Sequence, residues 1–309
     1  MSQDDNEAAA PVRRSYLLRH WRGELSLPVA YWINGWLGDI PIILLATGAG
    51  LLIRVPALVK PALAAGMAVW VLAFLVSIWQ LVGIWRSAGR HVGRGGRKIW
   101  AVLGQVSVGL GAVMLAAQLV TSAIPQMLEL GRIWAGDAAL AEHQIRVLPG
   151  GRDLFYSGAI TYGVSEEVRR ALDAAPGVTV IHLSSRGGRL VEAQHLHDLI
   201  AERGLATYVG QFCVSACTSA FMGGRERWLA PGARLGFHQA STPGGLSIAT
   251  VLEVAAEKQA LIRSGVSQAF AARAFDAPPS AMWYPSAPEL LAARVVTGIA
   301  PPGQFASER

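Results

Sequence analysis

Ser215 stands between two cysteines in the stretch GQFCVSACTSAFMGG, residues 210–224. His238 follows in RLGFHQ, and the adjacent glycines Gly187 and Gly188 precede it in LSSRGG. A serine hydroxyl is unreactive at neutral pH unless a base takes its proton. A neutral imidazole suits that role. Consecutive backbone N–H groups exposed at glycines can hold a developing oxyanion. These residues make an acyl-transfer set: Ser215 as nucleophile, His238 as base, and the amides of Gly188 and Ala216 as oxyanion donors. From composition alone, packing roles for the serine and histidine are the simpler reading.

The elements around these residues decide whether they can meet. From about residue 143 to 309 the pattern is that of an α/β domain. VTVIHLSS is a β-branched run of the buried kind, and it leads through RGG into the amphipathic helix RLVEAQHLHDLIAERG. LATYVGQF reads as a second strand, running into Ser215 at the start of a helix. RERWLAPGARLGFHQ supplies two further strands around a Pro-Gly turn. In VSEEVRRALDAAPG, Ser165 offers an N-cap and Gly177 a stop. Strands alternating with helices predict parallel pairing with helical crossovers. Ser215 and the glycines then share the C-terminal edge of the sheet, where open α/β folds place their sites. Period-2 alternation sends Phe237 and His238 to opposite faces.

The succession LSSRGG, TYVGQFCVSACTSAF and GARLGFHQ resembles the Clp proteolytic subunit and its relatives in the wider crotonase superfamily. LFYSGAI (154–160) is similar to that family's opening strand, and YPSAPELLAARVVTGI (284–299) to its closing segment. The resemblance spans about residues 144–300. It implies a serine endopeptidase acting on peptides or unfolded polypeptide, with Ser215 and His238 catalytic and Gly188 and Ala216 forming the oxyanion hole. It implies no cofactor, no metal and a homo-oligomer. Two positions depart from the pattern. Arg186 replaces a proline in the glycine turn. Met282 stands where the family carries its catalytic acid, leaving Asp276 as the nearest upstream orienting acid. Three readings follow: a Ser-His dyad, a ring oriented by Asp276 or a carbonyl, or a catalytically silent domain serving as an anchored binding scaffold.

The remaining polar residues have plainer roles. Cys213 and Cys217 are the only cysteines. They read as a disulfide or as buried free thiols, because two ligands do not make a zinc site. His182, inside an apolar strand, reads as a satisfied core histidine. His195 and His197 read as surface residues, and Lys258 as a solvated lysine.

The first half of the chain is of another kind. The whole is 52% hydrophobic and 16% charged, with mean hydropathy +0.36; a soluble domain is usually about a quarter charged. Three apolar runs, 31–53, 61–85 and 99–125, each reach the roughly 20 residues a bilayer requires. They divide the chain into a cytoplasmic amphipathic segment (1–30), a three-span membrane region (31–125), a linker (126–142) and the protease-like domain (143–309). Asp39 reads as the true start of the first span. The net charge of +6 lies wholly within residues 1–100, which hold 11 Lys+Arg and 5 Asp+Glu. It belongs to the membrane half, which argues against nucleic acid as a partner. Five basic residues in RSAGRHVGRGGRK (86–98) put that link in the cytoplasm by the positive-inside rule. The N-terminus is then cytoplasmic and the C-terminal domain extracytoplasmic (periplasmic), on an inner membrane. The fold class expected is α/β, a ClpP/crotonase-like domain behind about three transmembrane helices.

Overall fold

The computed structural model describes residues 15–137, 142–239, 248–278, 280–301 and 303–308. The chain divides into two units: Met1–Leu52 with Pro61–Met127, and Ile53–Lys60 with Leu128–Arg309.

Helical runs long and apolar enough to cross a membrane cover Val29–Leu52, Pro56–Arg94 and Lys98–Trp134; the second begins, and the third ends, in residues of the second unit. They contain the helices α2 (Ile40–Leu52), α3 (Val59–His91), α4 (Lys98–Gln118) and α5 (Ile124–Trp134). A short α1 (Tyr16–Trp21) precedes them, with the Ser15 side chain accepting from the Leu18 N–H. Asp39 does not open the first run but lies inside it, directly before α2. Its carboxylate accepts from Gln80 Nε2 at 2.9 Å, and the same amide donates to Asn34 O at 2.8 Å. A polar group at membrane depth must find a partner within the protein. Asn34 also meets His20 Nδ1 at 2.9 Å. Gly83 makes room for that ring: a Cβ there would sit 2.1 Å from His20 Nε2.

The second unit is a mixed α/β fold. Its elements in order are β1 (Gln144–Val147), β2 (Asp153–Ser157), α6 (Val164–Ala174), β3 (Val180–Ser184), α7 (Leu190–Glu202), β4 (Ala206–Val209), β5 (Phe212–Val214) and α8 (Ala216–Phe221). There follow β6 (Arg227–Leu229), β7 (Arg234–Gly236), α9 (Ile248–Arg263), α10 (Gln268–Ala274), α11 (Ala287–Ala292) and β8 (Gly298–Ile299). Among the described residues one sheet runs β1-β2-β3-β4-β6-β8, and β5 pairs with β7 in a second. All these pairings are parallel except β1 with β2, which is antiparallel. The stretch expected as one strand, LATYVGQF, is therefore two. It breaks after Val209, so that β4 stays in the large sheet while β5 leaves to build the site.

β3 explains its own composition. Ile181, His182 and Leu183 are all fully buried, as expected of a parallel strand covered on both faces. His182 is satisfied on both ring nitrogens, by Asp153 Oδ1 at 2.9 Å and Glu308 Oε1 at 3.2 Å. Helices α7 and α8 approach closely because the chain is small where they meet: Ala193 and Ala220 are fully buried.

Ser165, expected as an N-cap, instead lies within α6, whose N-cap is Gly163. The capping work is done from α7: Glu192, 1% exposed, accepts the Ser165 N–H at 2.6 Å. A carboxylate at a helix N-terminus is favourably placed. Burial pushes the Glu192 carboxyl up, but contacts from His195 and Ser165 outweigh it and the net direction is down. His195 is shifted the other way: its carboxylate neighbour Glu192 raises it against burial. The two are 3.5 Å apart, an ion pair too long for a good hydrogen bond. The His195 Nε2 meets Arg54 O at 2.7 Å, so this histidine is tied into the unit and is not a free surface residue.

A histidine raised on folding stabilises the fold below its unfolded pKa, and that contribution disappears as pH rises through the folded value. The melting temperature is therefore expected to fall as pH is raised from about 6.5, the unperturbed histidine value, toward 8.5. Glu192→Gln should flatten that dependence; scanning fluorimetry of the detergent-solubilised protein measures both.

Candidate active site

β5 delivers Ser215 and β7 delivers His238. The two strands pair with Cys213 opposite Leu235 and Val214 opposite Gly236. The ladder continues one step further, with the Ser215 N–H donating to Gly236 O at 2.9 Å. The chain then turns sharply into α8. Ser215 takes φ 57°, ψ −133° to make that turn, a left-handed backbone that costs a non-glycine residue on the order of 1–3 kcal/mol. A serine lifted on a strained strand-to-helix turn presents its Oγ at the sheet edge, as nucleophile elbows do.

His238 is aimed by its neighbours. Phe237 is buried against Phe270, ring centroids 5.3 Å apart and edge-on. Its backbone exchanges two 2.9 Å hydrogen bonds with Trp283. Gln239 is pinned as well, its N–H donating to Ala277 O and its side chain to Phe275 O. With both neighbours fixed and Phe237 turned inward, the imidazole projects to the opposite side. There His238 Nε2 lies 2.6 Å from Ser215 Oγ. Both residues are partly exposed, so a substrate carbonyl can reach them.

The glycine turn lies against the same hydroxyl. Gly187 has φ 95°, and a Cβ there would fall 2.8 Å from Ser215 Cβ and 3.0 Å from Ala216 N. No side chain fits. The Gly187 N–H is occupied by Ser185 Oγ at 3.0 Å. Gly188 is bridged to Ile160: the Ile160 N–H donates to Gly187 O, and the Arg189 N–H to Ile160 O. The bridge to Ile160 uses the Gly187 carbonyl and the Arg189 N–H, so the Gly188 N–H takes no part in it. The Ala216 N–H is the first of α8 and has no intrahelical acceptor. Neither amide donates to a backbone acceptor among the described residues. Two free donors beside a serine–imidazole pair are what an acyl oxyanion requires.

The acid is different. The Phe237–Trp283 pairing is antiparallel, so Met282 falls opposite His238. Its side chain lies over the strand, where a Cβ on Gly236 would come 2.9 Å from Met282 Cγ. Asp276 sits in the turn after α10 and is exposed. The segment 240–247, which follows the histidine in sequence, lies outside the described residues.

Cys213 and Cys217 form a disulfide across the turn, with Cα atoms 5.3 Å apart, and both are fully buried. It closes a loop whose centre is Ser215. Sequence reasoning missed three supports. Ser185 fixes the glycine turn. Glu257 joins α9 to α8 and α7 by accepting from Ser219 Oγ (2.8 Å) and Gln194 Nε2 (2.6 Å). Arg189 is gripped by Asp137 and Glu129. Each is a tertiary contact with no local signature. Among the described residues no cluster of His, Cys, Asp and Glu could hold a metal ion.

No protein-family model matches the chain, and no curated protein matches it. Solved structures do. ClpP1 from Listeria monocytogenes is 17% identical with a TM-score of 0.42, over 48% of this chain and 91% of that one. A serine-to-alanine mutant of the 1510-N membrane-bound stomatin-specific protease is 19% identical with a TM-score of 0.37, over 46% of this chain and 75% of that one.

The disulfide is expected to hold the turn. A loop this short confers about 2 kcal/mol in the chain-entropy account. Cys213→Ala/Cys217→Ala should lose that much stability in thermal unfolding of the intact protein, as should wild type in excess dithiothreitol. The double variant should not change further when reductant is added.

Proposed function

We propose that this protein is a membrane-anchored serine peptidase that cleaves peptides or unfolded polypeptide close to the extracytoplasmic membrane face. The observation that carries the reading is the 2.6 Å contact between His238 Nε2 and Ser215 Oγ, at a strained turn flanked by the amides of Gly188 and Ala216. His238 takes the hydroxyl proton as Ser215 Oγ attacks the substrate carbonyl. The two amides receive the oxyanion, and His238 returns the proton to the leaving amine. Water, activated by the same imidazole, releases the acyl group. A base within hydrogen-bond reach of its proton contributes about 10²–10⁴-fold.

The extracytoplasmic placement rests on the basic link 86–98. Homo-oligomeric assembly is part of the proposal and comes from the resemblance.

A second reading, a silent domain acting as an anchored binding scaffold, is favoured by Met282 in the place opposite His238. A fluorophosphonate probe separates the two. Labelling of the purified protein, abolished by Ser215→Ala and retained in Cys213→Ala, is the expected result; an unlabelled wild type sinks the peptidase. His238→Ala should slow labelling by at least about 10²-fold.

Met282→Asp tests the identity of the base. A carboxylate opposite the imidazole favours its charged form, an effect of about one pKa unit or more at this range. The acidic limb of the rate–pH profile should shift upward accordingly. An unmoved limb means that the titrating group is not His238.

A further inference from the structure

Arg189 follows Gly188 directly and is the N-cap of α7. That is a poor place for a cation, since helix N-termini favour negative charge and small polar caps. Its side chain makes no capping hydrogen bond. It is engaged elsewhere. Nε donates to Asp137 Oδ2 at 2.6 Å, Nη2 to Asp137 Oδ1 at 2.7 Å, and Nη1 to Glu129 Oε1 at 2.5 Å. The Asp137 contact is a bidentate fork, the geometry in which arginine is most directional. The Asp137 carboxylate is only 4% exposed. Both carboxylates hold the guanidinium firmly in its charged form, against burial.

The two carboxylates come from one stretch of chain. Glu129 lies in the helical run Lys98–Trp134, long enough to cross a membrane, and Asp137 follows just beyond its end. On the other side, the Arg189 backbone is the last fixed point of the glycine turn. Its N–H donates to Ile160 O at 2.7 Å. Gly188, at φ 146°, hangs between this anchor and the Gly187 carbonyl. Two successive glycines carry the greatest backbone freedom of any dipeptide, so the direction of the Gly188 N–H depends on what holds its neighbours.

We propose that Arg189 is a positioning residue for the oxyanion hole, and that Glu129 and Asp137 on the chain leaving the third apolar run set the aim of the Gly188 amide through it. Movement of that chain relative to α7 loosens the fork and turns the amide away, so the site is gated from its own membrane linker. The inference rests on the peptidase reading for its consequence in rate, but not for its structural content.

The test uses the full-length protein in detergent or nanodiscs. Asp137→Asn and Arg189→Gln are expected to lower kcat on a fluorogenic peptide at least tenfold with KM within twofold, and to slow fluorophosphonate labelling in parallel. Arg189→Lys, which keeps the charge but not the fork, should recover little. Glu129→Gln leaves the fork intact and should show a smaller loss of the same kind; it also guards against misfolding, since Glu129 is the more exposed carboxylate. A peptide boronate, which needs the oxyanion amides, should lose at least tenfold in affinity in these variants, while the product peptide binds as in wild type. Amide exchange at Gly187–Gly188 should quicken in Asp137→Asn, a readout that requires no catalysis. Wild-type exchange at that turn overturns the inference even where labelling fails altogether. Unchanged kcat and boronate affinity in a labelled protein overturn it while leaving the peptidase standing. Equal losses in product and boronate affinity reduce Arg189 to a structural residue and also overturn it.

Discussion

The pairing of β5 with β7 is the constraint on which the site depends. Ser215 and His238 are 23 positions apart, and neither is brought to the other by local structure. The parallel ladder from Phe212 to Val214 does it, finishing with the Ser215 N–H on Gly236 O. That bond fixes the serine two residues from the histidine along the neighbouring strand. β5 is itself tied to the end of β3, through Val214 N–H to Ser185 O and the Ser185–Cys213 bridge. One short strand therefore registers the Ser215 hydroxyl against the His238 imidazole on one side and the glycine turn on the other. Its Cys213 and Val214 side chains are buried. A slip of one residue would exchange the faces of Cys213 and Val214 and carry Ser215 out of register with His238.

The turn at Ser215 runs against intrinsic preference. A left-handed serine and a glycine that admits no Cβ are costs the fold meets elsewhere: in the disulfide across the turn, in the Ser185 contact and in the packing of Ala216 and Ala220. Such strain persists only where the surroundings over-determine it. Here they do so from both sides of the serine. The acid position shows no comparable investment. Met282 occupies the place opposite the ring, and Phe237, Trp283 and Gln239 hold His238 by backbone and by packing. Orientation of the imidazole by its strand is thus built in, whatever its charge partners.

Much of this was legible in the residues, and the parts that were not share a cause. Ser215, His238 and the Gly187-Gly188 turn stand out because each lies at the end of a strand-like run, and their order along the chain carries the resemblance. The α/β class follows from the same alternation. The division of LATYVGQF into β4 and β5 was not legible, because both halves have the composition of a strand and only tertiary pairing tells them apart. Ser165 illustrates a local rule overridden: a serine before two glutamates reads as a cap, yet Glu192 from another helix takes over the task. The grip of Asp137 and Glu129 on Arg189 spans 52 and 60 positions, and nothing in either stretch announces it. The state of the two cysteines was left open by spacing alone; the turn into α8 brings their sulfurs together.

The distribution of charge gives the two halves different tasks. The basic excess sits before residue 100, where it can orient the chain in a bilayer, and the remainder is neutral overall. Residues 143–309 hold 15 Lys+Arg and 13 Asp+Glu, and a domain with so small a net charge draws little from a distance by its field. For such a domain the anchor supplies what charge does not. Confinement beside the membrane raises the effective concentration of any chain held there, without a new contact, and excludes those that are not. On that view selectivity for location precedes selectivity for sequence.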